Sequence, residues 1–201
     1  MANRLPPGVV PQPVGPGQVS VWTFPRPPVI VADNRRVIVR LGGEIIADTT
    51  DSLKALETSH PPTWYLPMSA FRAGSLRLTA GSSVCEFKGP AEYYDVLGGG
   101  RTHDSDDPQG YPNAGTTSVA DAFGVTAVSP EVVAKKAAWR YPKPWAGFEA
   151  IADRVALYVP QMDSVTVDGI DVEPQPGSFY GGWITPDVVG PFKGIPGSMG
   201  W

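Results

Sequence analysis

Glycine and proline, 23 residues each in a chain of 201, stand at about twice their usual share and leave little room for a helix of ordinary length. Breakers at that density favour short strands joined by turns. The clearest unit is residues 36–48, two β-branched strands around Gly42-Gly43. Further strands are expected at 64–66, 75–79, 83–87, 92–96, 154–159 and 164–167, the last leading into an Asp168-Gly169 hairpin turn. Helices are expected only at 50–58, where Thr50 or Asp51 caps the start and Pro61-Pro62 stops the end, at one turn in 129–135, and at 148–153.

A degenerate internal repeat organises these pieces. Trp22-Thr-Phe24-Pro25-Arg26-Pro27 recurs as Trp139-Arg-Tyr141-Pro142-Lys143-Pro144. Ser59, Trp64 and Pro67 keep the spacing of Ser178, Trp183 and Pro186, and Phe87-Lys88-Gly89 returns as Phe192-Lys193-Gly194. Three matches in one order imply two copies of one β unit, which bury a common apolar seam because neither half holds enough core alone. The expected organisation is a Pro/Gly-rich arm at 1–18, a first repeat at 19–97, a loop insertion at 98–136 and a second repeat at 137–201. Five prolines among the first 18 residues make the arm extended and mobile in this reading.

Composition narrows the function classes. A formal charge of −4 and a pI of about 5.1 argue against binding phosphate backbones, so no nucleic-acid partner is expected. One cysteine excludes an internal disulfide, and with only two histidines a Cys/His zinc cage has too few ligands. No apolar run reaches the ~20 residues that span a bilayer, and the first residues lack the apolar centre of a secretory signal. The expectation is a soluble cytoplasmic protein without membrane partner, metal or cofactor.

The segments VWTFPRPP, GGEIIADT, LETSHPPTWYLP, VCEFKGPAEYYDV, AAWRYPKP and DRVALYVP together resemble the family known as domain of unknown function 427. The tail FYGGWITPDVVGPFKGIPGSMGW is similar to the ending of its longer bacterial members. The likeness covers about 19–97 and 137–201, and residues 98–136 depart from the short link usual there. The resemblance implies an all-β fold with a few short helices, built as tandem β-tent-like subdomains, and no established activity. The tent fold is shared with a methionine sulfoxide reductase, but a lone cysteine has no partner for recycling by an internal disulfide, so redox turnover is not expected.

Candidate chemistry centres on Glu57, His60 and Cys85, the catalytic expectation. Their counterparts in the second repeat are Pro176, Phe179 and Gly190, so the reactive members occur in one copy only. A thiolate activated by an imidazole that a carboxylate orients would support metal-independent hydrolysis or acyl transfer. Against this, a cysteine in an alternating strand is more often a small core residue. Lys88 and Lys193 each lie between an aromatic residue and a glycine. Lys88 is expected to meet an anionic group, with Tyr65, Tyr94, Trp64, Trp139 and Tyr141 as pocket walls, although clustered aromatics in a β-rich protein are more often core. The family's nucleotidyltransferase-like label finds weak support in Gly81-Ser82 followed by Glu92 and Asp95, because residues three apart on a strand face opposite sides. Residues 102–107 read as a solvated acidic turn. Two function classes follow: a pocket protein for a small polar or anionic metabolite, enzymatic or not, and a non-enzymatic interaction module using the arm and residues 98–130.

Overall fold

The computed structural model describes residues 5–99 and 131–201. Its strands are β1 (Val19–Ser20), β2 (Val29–Asp33), β3 (Val37–Leu41), β4 (Glu44–Thr49), β5 (Ser52–Leu56), β6 (Thr63–Pro67), β7 (Leu76–Cys85), β8 (Gly89–Gly98), β9 (Val132–Arg140), β10 (Arg154–Leu157), β11 (Ser164–Val167), β12 (Ile170–Asp171), β13 (Glu173–Pro174), β14 (Trp183–Ile184) and β15 (Val188–Val189). The only helical elements among the described residues are 3₁₀ turns of three residues. The chain is mainly β, as its breakers require.

Seven strands form an antiparallel sheet in the order β2-β5-β6-β10-β9-β8-β7, and four form a second in the order β12-β11-β3-β4. The main core lies between them, with Val37, Val39, Leu41 and Ile46 facing Trp64, Leu66, Val96, Ala138 and Leu157. A second cluster, Ala55, Tyr65, Ala91, Trp139, Tyr141, Phe148 and Ile151, holds the other residues of the same large sheet. Neighbouring residues on β6 therefore enter different cores, Trp64 one and Tyr65 the other. Double burial explains why this strand is an unbroken apolar run with no polar alternation.

The two halves of the chain meet through paired strands. β3 pairs antiparallel with β11, Val37 opposite Val167 and Val39 opposite Val165. Each continues into a tight hairpin, through Gly42-Gly43 and through Asp168-Gly169, with positive φ at all four turn residues. Trp64 and Trp183, matched in the repeat, are both fully buried and stack at 5.6 Å with planes 15° apart. β6 and β10 join the copies again inside the large sheet. Arg35 adds an ionic clamp, reaching Asp33 at 2.8 Å and Asp187 at 3.0 Å.

Several local expectations change. Residues 50–58 form no helix: β5 occupies them, bonded to β2 on one side and β6 on the other. Two flanking ladders satisfy more backbone groups than one short helix would, and they override the helical spacing of Leu53 and Leu56. The two strands expected at 75–79 and 83–87 are one strand, β7, interrupted between Leu78 and Ser82. Residues 132–135 belong to β9 and make no helical turn, while the helix at 148–153 shrinks to a 3₁₀ turn at Glu149–Ile151. The strand expected at 154–159 stops at Leu157 and gives way to a 3₁₀ turn at Val159–Gln161. The described part of the arm is extended but docked: Gln12 N–H donates to the Gly190 carbonyl at 2.9 Å, and Gln18 Nε2 donates to Pro186 O at 2.9 Å. Residues 100–130, including the acidic turn at 102–107, lie outside the described residues.

Candidate functional site

Glu57 to His60 form a buried corner between β5 and β6. Ser59 adopts a left-handed backbone, φ 70°. The corner is held by Ser59 N–H donating to Val21 O at 3.2 Å and by Lys193 N–H donating to Ser59 O at 2.8 Å. His60 is 9% exposed, and its Nδ1 lies 3.0 Å from Gln175 Nε2. The direction of that bond follows from the amide's other partners. Gly182 N–H donates to Gln175 Oε1 at 3.1 Å, and Gln175 Nε2 donates to Lys193 O at 2.8 Å. The amide nitrogen thus faces His60, Nδ1 accepts, and the ring proton sits on Nε2. Burial pushes the imidazole pKa down to about 4, with the nearby Lys193, Arg26 and Lys88 charges adding to the effect. His60 is a neutral donor held by an amide, where the activated-thiolate reading wants a base held by a carboxylate.

Glu57 faces cations. Its carboxylate lies 3.7 Å from Arg26 and 4.0 Å from Lys88. Both repeat-related lysines are buried, Lys88 at 7% exposure and Lys193 at 6%. The Lys193 ammonium donates to Trp201 O at 2.7 Å and lies 5.6 Å over the Tyr180 ring. Tyr180 in turn packs edge-on against His60 at 4.6 Å.

Cys85 ends β7 opposite Gly89 and packs against the second core cluster. The Tyr141 hydroxyl lies beside its thiol, and burial and the thiol push the Tyr141 pKa far up. Tyr65 is fully enclosed, its pKa also raised by burial, and its hydroxyl makes no well-formed hydrogen bond although Trp139 and Tyr141 lie near. Trp64, Tyr94, Trp139 and Tyr141 are likewise buried in the two cores. Asp95 accepts from Lys135 at 2.9 Å, Arg77 at 3.2 Å and the Lys136 N–H at 3.0 Å, which hold its pKa near about 2. Glu92 pairs instead with Arg140 at 3.4 Å. Each carboxylate of the nucleotidyltransferase reading is therefore already matched with cations.

The structure also opens a cleft of about 350 Å³ that sequence reasoning missed. Tyr93, Tyr158 and Tyr180 contribute aromatic wall, Lys135 and Lys136 contribute charge, and Gln175 reaches it from the buried side. None of Glu57, His60, Cys85, Lys88, Tyr65, Tyr94, Trp64, Trp139 or Tyr141 lines it. Consecutive residues of a regular strand point to opposite faces, yet Lys135 and Lys136 share this cleft. A β-bulge explains it: the register of β8 on β9 shifts between Tyr94 and Val96, and Lys136 takes φ 48°. Asp95 pins the bulge by accepting from both residues. A lysine pair within a strand, across from an acidic residue, is the one sequence signal for this feature. Gln175 has no such signal.

A family model described as domain of unknown function (DUF427) matches residues 29–120 and again 116–168. The chain belongs to that family. Comparison with curated proteins gives no match.

Proposed function

We propose that this protein binds a small polar or anionic metabolite in the cleft walled by Tyr93, Tyr158 and Tyr180. The observation that carries the reading is the bulge at Lys136, which brings a second lysine to the lining of an aromatic-walled cleft. The Lys136 ammonium makes no hydrogen bond or ion pair among the described residues, whereas Lys135 is held by Asp95. Lys136 is then the group that meets a carboxylate or phosphate, and the tyrosine faces take a planar or apolar portion. Gln175 contributes from the floor with its amide already oriented by Gly182, Lys193 and His60. His60 acts here as a positioning residue behind the amide.

Metal-independent hydrolysis or acyl transfer through Glu57, His60 and Cys85 is the less supported form of this reading. The His60 Nδ1 lone pair is committed to Gln175, and the Cys85 thiol lies beside the Tyr141 phenol. In the proposed organisation, residues 19–97 and 137–201 are the two copies, and the ligand lies between Tyr93 of the first, Lys135 and Lys136 just before the second, and Tyr158, Gln175 and Tyr180 of the second. A thermal-shift screen of small carboxylates and phosphates on the native protein, repeated on Lys136→Gln and Cys85→Ser, tests the proposal. At least one compound is expected to raise the melting temperature of wild type and Cys85→Ser but not of Lys136→Gln. Responses that depend on Cys85 and ignore Lys136 would move the site to the thiol.

A further inference from the structure

A second cluster of polar groups lies outside the cleft with its bonding incomplete. Lys88 is more than nine-tenths buried, yet its ammonium makes no hydrogen bond among the described residues, and its nearest carboxylate oxygen, on Glu57, is 4.0 Å away. A buried ammonium without close partners is costly, and in native structures such groups ordinarily have something to bind. The Ser59 hydroxyl is fully enclosed and likewise unbonded, on a residue held at φ 70°. His60 directs its ring proton through Nε2, which donates to no protein oxygen or nitrogen among the described residues. Charge adds to the pattern. Arg26, Lys88 and Lys193 all act on His60. The facing carboxylates are Glu57 and Glu86, the latter largely in solvent on Arg26 at 3.1 Å. Lys193 is occupied by Trp201 O, which leaves Lys88 as the buried cation of the corner without a hydrogen-bonded partner among the described residues.

We propose that this corner, built around His60 and Lys88, is a separate site for a small oxyanion, the phosphate or carboxylate group of a small molecule or the free ion. Lys88 supplies the charge, and His60 supplies an uncharged donor suited to an oxyanion. Glu57 limits the affinity, because its carboxylate repels the incoming charge while Arg26 partly neutralises it. Affinity in the millimolar range follows from one spare cation in a polar corner.

Titration of the native protein with inorganic phosphate, at ionic strength held constant with sodium chloride, tests the site by ³¹P line broadening and by melting temperature. Wild type and Lys136→Gln are expected to bind, and Lys88→Met to lose the response. Without phosphate, Lys88→Met is expected to be at least as stable as wild type, because it removes a buried charge that lacks a close partner. Four outcomes would overturn the proposal: no phosphate response at millimolar concentration, an unchanged response in Lys88→Met, a response lost in Lys136→Gln instead, or a Lys88→Met protein much less stable than wild type. The third would leave the cleft as the anion site, and the fourth would make the Lys88–Glu57 pair structural. An acetate titration separates a carboxylate preference from a phosphate preference at the same Lys88.

Discussion

At the scale of single residues, His60 ties acid stability to the geometry of its corner. It binds a proton near pH 4 in the fold and near 6.5 in an exposed chain. Between those values the unfolded chain holds more protons, so stability is full above pH 6.5 and falls as pH drops towards 4. The total loss is ~3 kcal/mol. Protonation also places two donors against each other, since Nδ1–H would face the Gln175 amide. Chemical denaturation at pH 7 and pH 4.5 is expected to show that His60→Gln loses less stability on acidification than wild type by roughly 2 kcal/mol. Parallel losses in the two proteins would mean that the imidazole titrates as if in water. Asp95 works in a lower window. Its depressed pKa stabilises the fold above the ordinary carboxylate range and is lost as pH falls through about 2. Asp95→Asn is therefore expected to release the bulge and weaken ligand binding in the cleft at neutral pH, measurable as a lost thermal shift.

At the scale of elements, a close backbone contact joins the two sheets where β8 crosses the end of β3. A Cβ on Gly98 would sit 2.1 Å from the Leu41 carbonyl oxygen. Backbone on both sides leaves no side chain to rotate away. Gly98→Ala is expected to destabilise the protein by ~3 kcal/mol in urea unfolding, the upper end of overpacking costs. A loss below ~1 kcal/mol would show that the sheets slide apart freely. The elements also show what was legible in the sequence. The hairpins around Gly42-Gly43 and Asp168-Gly169 could be read because their turn residues need positive φ and carry that need locally. β5 could not, because Leu53 and Leu56 have helical spacing and only the neighbours β2 and β6 make the segment a strand. β7 read as two strands because its bulge interrupts alternation. The cleft depends on a register shift between β8 and β9 and on one buried glutamine from a Pro/Gly-rich loop, neither of which has a local pattern. Glu57, His60 and Lys88 stood out by their chemistry, and the structure brings them to one corner. Cys85 faces Tyr141 instead.

At the scale of the whole molecule, the two halves are not independent bodies. β6–β10 and β3–β11 cross between them, and Trp64 stacks on Trp183 at the centre. Cutting the chain once between residues 100 and 130 is expected to leave the pieces associated through gel filtration and to give one cooperative unfolding transition. Pieces that separate and melt independently would refute the shared core. No helix among the described residues is long and apolar enough to cross a membrane. The antiparallel joint of β3 with β11 also has an evolutionary consequence. A shorter chain without β11 would leave β3 as an open edge, exposed to pairing with a strand of another molecule. Carrying β11 on the same chain closes that edge from within, so the pairing does not depend on concentration. It also frees one copy from matching the other, and the histidine of the Ser59-His60 corner, replaced by Phe179 in the second copy, is where that freedom has been used.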